Sequence, residues 1–329
     1  MLRAHLDADC LARVRLAASP VAEATAWLGL TARRGRHPVF GDPGAAARSA
    51  LADPCAALVA AILPPPGRPA YTPDLITPKP GTARDVAGLL GEQLDRIAAT
   101  PRDEVAQQIE WSGVRLPPAA RAAVERGTFA ANAANGLRRF WAAALADGWA
   151  ELRAIMEADL AGRASTMAGH GVGAMLGSLH PSVAWHAGTL SIDGTWSEEF
   201  TLSGVEIVCV PAVLAWPKLS VQFCDPRDAV LGYPAIGVGA RAGGRVTRPV
   251  DRLLGPSRAA LLGDLAVPRS TAGLSTRHRL APGTVSYHLK VLQRAGLVRS
   301  RRDGKFVLYQ RTESGCALSQ QQVAGPVDN

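Results

Sequence analysis

The chain has 329 residues, 47% of them apolar, with a formal net charge of +8. This is long enough for a larger and a smaller domain, each with its own core. Asp7 and Asp9 interrupt the start where a signal peptide needs apolar residues, and the longest apolar run, Val205 to Trp216, contains Glu206 and Pro211. Export and membrane spanning are therefore not expected, and five scattered cysteines (Cys10, Cys55, Cys209, Cys224, Cys316) suit a reducing cytoplasm.

Residues 1 to about 180 read as helical. In "SPVAEATAWLGL", Ser19 is the expected N-cap with Pro20 at the first helical position, and alanine-rich segments continue the pattern. The stretch "PPPGRPAYTPDLITPKPG", Pro64 to Gly81, breaks every period and is expected as an extended connector or surface loop. Helices resume up to about Leu179, with Leu137, Phe140, Trp141, Leu145 and Trp149 as one core-facing stripe. From Val183 to Val238 the period becomes that of strands, with a turn signal at Asp193-Gly194 and Val- and Ile-rich runs in "VEIVCVPAVLAW" and "LSVQFC". A small antiparallel sheet packed on the helices is expected, which makes residues 1–240 mainly helical and the chain as a whole α+β.

The glycine-rich, basic stretch "GVGARAGGRVTRP", Gly237 to Pro249, has no apolar period, and residues 241–255 are expected to be a linker. Residues 241 to 311 hold 15 Lys and Arg against 3 Asp and Glu, so the rest of the chain is net acidic and the basicity belongs to one segment. A localised positive field attracts phosphate backbones. Within it, "PSRAALLGDLA" places Leu261, Leu262 and Leu265 on one stripe, and "RSTAGLSTRHRL" predicts a second short helix capped by Ser270 or Thr271. In "LAPGTVSYHLKVLQRAGLV", Pro282 and Gly283 open a third helix. Val285, Leu289 and Leu292 fall on its inner face, so Thr284, Ser286, Tyr287, His288 and Lys290 are expected to face outward. After Gly296, "RSRRDGKFVLYQR" predicts a hairpin turning at Asp303-Gly304. It carries Arg299, Arg301, Arg302 and Lys305, with Phe306 and Leu308, and in one reading Val298, packing inward.

Three helices and a basic hairpin over 256–315 make a winged helix-turn-helix, and the string "APGTVSYHLKVLQRAGLV" followed by "RRDGKFVLYQRT" resembles the DNA-binding domain of ArsR-type transcription regulators. The resemblance implies a homodimer that reads a near-palindromic double-stranded DNA operator, more often as a repressor. Thr271, Pro282, Gly283, Thr284, Ser286, Tyr287, His288 and Lys290 would lie at the groove. Arg299, Arg301, Arg302 and Lys305 would lie on backbone phosphate. The chain departs from the family at the turn "RHRLA", where Arg279 and Ala281 stand in place of the usual glycine and capping serine. Residues 316–329 read as a polar, disordered tail.

The larger part resembles the uncharacterised N-terminal domain that accompanies this winged helix in many actinobacterial regulators, through "LARVRLAASPVAEA", "YTPDLITPKP", "LHPSVAWHAGTLSID", "VCVPAVLAWPKLSVQF" and "LGYPAIGVG". That implies a role in sensing a signal, such as a small-molecule effector, or in dimerisation. No cofactor and no metal site is expected: His170, His180 and His186 have no metal-ligand spacing. The paired cysteines, or terminal His and Asp, of metal-sensing ArsR-type members are not matched. "GHGVGAMLG" follows a helix rather than a strand, against a dinucleotide loop, and no nucleophile with a base is evident, so no enzymatic activity is expected. Trp111, Trp141, Trp149, Trp185, Trp196 and Trp216 either fill the core or line an apolar pocket. The alternative function is an enzyme or ligand-binding protein whose N-terminal domain carries the activity and whose winged helix localises it.

Overall fold

The computed structural model describes residues 1–64, 71–83, 85–194, 197–239, 254–265, 268–278, 280–303 and 306–320. The chain divides into two units, Met1–Gly244 and Arg245–Asn329, each with a core of its own. The class is α+β, but the first unit differs from the sequence reading in three ways.

First, its opening residues are a strand. Leu2, Ala4 and Leu6 of β1 (Leu2–Leu6) are buried while Arg3 and His5 point outward, the alternation of a half-buried strand. After the short helix α1 (Ala8–Ala12) comes β2 (Arg15–Leu16), so the expected purely helical 1–180 contains two strands. Helices then follow in order: α2 (Pro20–Ala32), α3 (Gly44–Leu51), α4 (Pro54–Ala61), α5 (Val86–Ala98), α6 (Arg102–Ser112), α7 (Pro118–Glu125), α8 (Phe129–Ala144) and α9 (Trp149–Gly177). Helix α2 starts as read: Ser19 Oγ accepts from Ala22 N at 3.1 Å and Pro20 occupies the first turn. The core of the helical layer includes Leu28, Ile62, Leu94, Leu137, Phe140 and Met156, all completely buried or nearly so. Trp27 and Trp149 lie within it, Trp141 and Trp216 pack on it, Trp111 is exposed, and Trp196 lies outside the described residues.

Second, the expected antiparallel sheet is two four-stranded sheets of mixed pairing. Strands β3 (Val183–His186), β4 (Thr189–Ile192), β1 and β5 (Glu198–Leu202) form one in the order β3-β4-β1-β5, with β1 antiparallel to β4 and parallel to β5. The other runs β2-β6-β8-β7, where β6 is Val208–Ala212, β7 Ser220–Gln222 and β8 Val230–Pro234. In it β6 is parallel to both β2 and β8. The β3-β4 hairpin turns at Ala187 and Gly188, both at positive φ, and Asp193-Gly194 instead follows the end of β4. Helix α9 kinks at Gly171 (φ 84°). A Cβ on Gly173 would lie 2.2 Å from Trp185 Nε1, so part of the glycine pattern in "GHGVGAMLG" is a helix-to-strand packing requirement.

Third, "YTPDLITPKP" is a packed strap. Asp74, Leu75, Ile76 and Lys79 are buried. Lys79 Nζ donates to the Arg227 carbonyl and lies 3.6 Å from Glu206, its backbone N–H reaches Asp228 Oδ1 at 3.1 Å, and Arg96 donates to its carbonyl at 2.9 Å. Proline-rich chain cannot build a helical or sheet ladder, so its backbone groups are satisfied by side chains from elsewhere. A similar logic seats Glu23, completely enclosed in α2, whose carboxylate accepts from Val213 N at 2.8 Å and Leu214 N at 2.7 Å. Burial pushes this carboxyl up to about 7, against the pull of those two backbone donors.

The second unit contains α10 (Pro256–Asp264), β9 (Arg269–Ser270), α11 (Thr271–His278), α12 (Pro282–Arg294), β10 (Val298–Asp303), β11 (Phe306–Arg311) and α13 (Glu313–Gln320), with a sheet in the order β10-β11-β9. Helix α13 corrects the expectation of disorder from residue 316: the chain is helical to Gln320. Thr312 Oγ1 caps it by accepting from Gly315 N at 3.1 Å, and Leu318 packs on the unit's core.

Candidate nucleic-acid interface

The core of the second unit is a seam of Leu261, Leu262 and Leu265 from α10, Leu274 from α11, Val285, Leu289 and Leu292 from α12, and Val298 from β10, each 2% exposed or less. Burying one such side chain contributes about 1.5–3 kcal/mol, so the seam fixes which face of α12 looks outward. Ser270 is the cap of α11, its Oγ accepting from Gly273 N at 3.2 Å, and Thr271 beside it is half-buried. Between α11 and α12, Ser275 donates to the Leu280 carbonyl at 2.6 Å. Ala281 enters α12 in extended conformation with no side-chain cap, and Arg279 lies outside the described residues. Ser275 thus holds the turn, and no side chain caps α12.

At the head of α12, Pro282, Gly283, Thr284, Tyr287 and Lys290 are exposed. The outward set is narrower than the sequence predicts. Ser286 and His288 are half-buried, because positions one residue to either side of the exposed Tyr287 turn back toward the seam. His288 lies near Arg258 of α10. Burial, and then the Arg258 charge, hold its imidazole below the ordinary histidine value. Arg258 carried no signal in the sequence, since its effect depends on two helices meeting.

The hairpin is tied to α12 by Gln293 Nε2, which donates to Ser300 Oγ at 3.0 Å. Its register pairs Arg299 with Gln310, Ser300 with Tyr309, Arg301 with Leu308 and Arg302 with Val307. Because alternate residues share a face, Val298, Ser300, Arg302, Val307 and Tyr309 lie on one side and Arg299, Arg301 and Leu308 on the other. Tyr309 and Val298 therefore join the core, where the sequence reading put Leu308, and Val307 is 43% exposed. The side chain of Phe306 is outside the description, as are Gly304 and Lys305. The basic residues are thus divided between two faces of the hairpin, while Arg299 also donates to Gln310 at 3.1 Å.

Residues 253–301 match the family model of a helix-turn-helix domain. The C-terminal unit is a helix-turn-helix domain, and this supports a DNA-binding transcriptional regulator. Among solved structures, the chain is similar to a double mutant of Lactococcus lactis ZitR in its apo form, at 26% identity over 22% of this chain and 58% of that one, with a TM-score of 0.20. It is also similar to a single mutant of ZitR, at 26% identity over 20% and 47%, with a TM-score of 0.19. The chain spans about half the length of these structures. No curated protein matches it.

In the first unit, no group of three or more His, Cys, Asp or Glu side chains among the described residues could hold a metal. An open groove of about 510 Å³ lies against Ile109, Val114, Leu116 and Val124, with Arg115 and Arg121 beside them. The carboxyls of Glu23 and Asp74 are both pushed up to about 7 by burial, but neither is among the residues that line it. No helix among the described residues is long and apolar enough to cross a membrane.

Proposed function

We propose that the chain is a sequence-specific transcriptional regulator, more often a repressor, which binds a near-palindromic operator as a homodimer. The observation that carries this reading is the head of α12. Thr284, Tyr287 and Lys290 are exposed above a buried seam, next to a hairpin bearing Arg299, Arg301 and Arg302. Such a helix head fits the major groove, where donor, acceptor and methyl patterns distinguish base pairs, while arginines beside it meet phosphate. Two copies would set their α12 helices about 34 Å apart, one turn of DNA.

The first unit, in this reading, senses a signal such as a small molecule or supplies the dimer interface. The two carboxyls that burial raises most are engaged in holding the fold. Both Glu23 oxygens are taken by backbone donors, and Asp74 is hydrogen-bonded to Tyr71. That favours a regulatory over a catalytic role.

The test is selection of bound sequences from a random DNA pool with the full chain, followed by footprinting at several salt concentrations. A protected two-fold symmetric site whose affinity falls with salt supports the reading. Binding with no sequence preference, or none at low salt, overturns it.

A further inference from the structure

Tyr287 and His288 are neighbours whose rings lie 5.6 Å apart, centroid to centroid, tilted by 59°. Their surroundings differ. Tyr287 is 59% exposed, whereas His288 Nδ1 is shut off from solvent and has no hydrogen-bond partner among the described residues. Across from it, in the first turn of α10, Arg258 Nε is also buried without a partner, and the guanidinium is held by Nη1 donating to the Leu254 carbonyl at 3.1 Å. Among the described charged groups on the elements packed against α12, Asp264 of α10 and His278 of α11 are paired with each other, and Arg299 of β10 bonds Gln310. Arg301 and Arg302 also lie on β10, and α12 itself carries Lys290 and Arg294. The charge that acts on the His288 ring is that of Arg258.

We propose that His288 is a positioning residue: as the neutral imidazole it seats the Tyr287 ring on the outward face of α12, Tyr287 meets the base edges in its place, and protonation of His288 weakens operator binding. The inference rests on the operator-reading function proposed above. A neutral ring tolerates the neighbouring guanidinium. A proton on Nδ1 would create a second cation beside it and a buried N–H with no acceptor, and both costs are relieved when the ring swings toward solvent. That movement removes the support of Tyr287.

The alternative, in which His288 itself touches phosphate or guanine, has the opposite sign, because an imidazolium binds DNA more tightly than an imidazole. Acidification therefore separates the two roles. With the full chain and its selected operator, affinity is measured by fluorescence anisotropy between about pH 8 and about pH 5 at constant ionic strength, where histidine is the side chain that titrates. The expected result is an affinity that falls as the pH drops below the ordinary histidine value. The fall is about tenfold for each pKa unit by which DNA binding and protonation oppose one another. His288→Asn should flatten the profile and retain sequence preference, with His288→Gln as the second variant should Asn disturb the helix. Arg258→Gln should move the fall to higher pH, and Tyr287→Ala should remove most of it. Acid-tightened binding that disappears in His288→Asn overturns the proposal, as does a wild-type fall that persists in both His288 variants. Absence of sequence preference in the wild type at pH 8 overturns the operator reading itself, and this inference with it.

Discussion

Asp264, the last residue of α10, and His278, the last residue of α11, meet with Oδ2 and Nε2 2.8 Å apart and with side chains about one-fifth exposed. The pair locks together the ends of the two helices on which α12 rests. His278→Ala is expected to destabilise the second unit by about 0.5–1.5 kcal/mol, the net worth of the hydrogen bond that is lost. Amide hydrogen exchange of Leu261, Leu274 and Leu289 in the full chain reads it directly. Unchanged protection would show that the pair contributes nothing.

Removing a phosphate contact and removing a base contact leave different signatures. Arg301→Ala and Arg302→Ala should each weaken binding to all sequences and lower the slope of log affinity against log salt by about 0.9. Tyr287→Ala should leave that slope in place and relax preference at one position of the operator by about 1–3 kcal/mol. Salt titrations on matched and mismatched operators distinguish the two.

Gly136 is where α8 crosses α4. A Cβ there would stand 2.4 Å from the backbone carbonyl carbon of Cys55, which cannot yield as a side-chain tip would. Gly136→Ala is expected to cost about 2 kcal/mol or more despite alanine's better helix propensity, because α4 must shift. Thermal unfolding should show the loss. An unchanged or raised Tm would contradict the close crossing.

Asp7 caps α1 through Cys10 N at 2.7 Å and binds Ser203 Oγ and Gly204 N beyond the end of β5. The Ser203 hydroxyl, then the backbone donors, hold its carboxyl well below the ordinary carboxylate range. The folded value lies below the unfolded one, so the stabilisation is complete above the ordinary aspartate value of about 3.9 and is lost as the pH falls below it. Asp7→Asn should flatten the acid limb of a stability profile measured by urea unfolding while changing it little in form above pH 6.

Local chemistry made the winged helix legible. Val285, Leu289 and Leu292 repeat within three turns and Asp303 stands at a hairpin turn, so each signal lies within a few residues of what it organises. The strap and β1 gave no such signal. Lys79 is defined by Glu206 and Arg227, and Leu2 by Ile192 and Glu198, partners more than a hundred residues away. His288 falls between these cases: its place at the edge of the seam follows from helix periodicity, but the charge beside its ring comes from Arg258 on another helix.

The place of β1 between β4 and β5 also orders events during synthesis. Residues 2–6 cannot find either neighbour until residues 189–202 have left the ribosome, nor can β2 find β6 before residues 208–212 have done so. Chain elongation at about 5–20 residues per second leaves this first segment waiting for roughly ten seconds or more. The helical layer, whose contacts are closer in sequence, has its partners much sooner. This strand is thus made long before it can be placed, and a nascent chain stalled before residue 190 would carry it unpaired with its apolar face of Leu2, Ala4 and Leu6 uncovered, the kind of segment that chaperones shield.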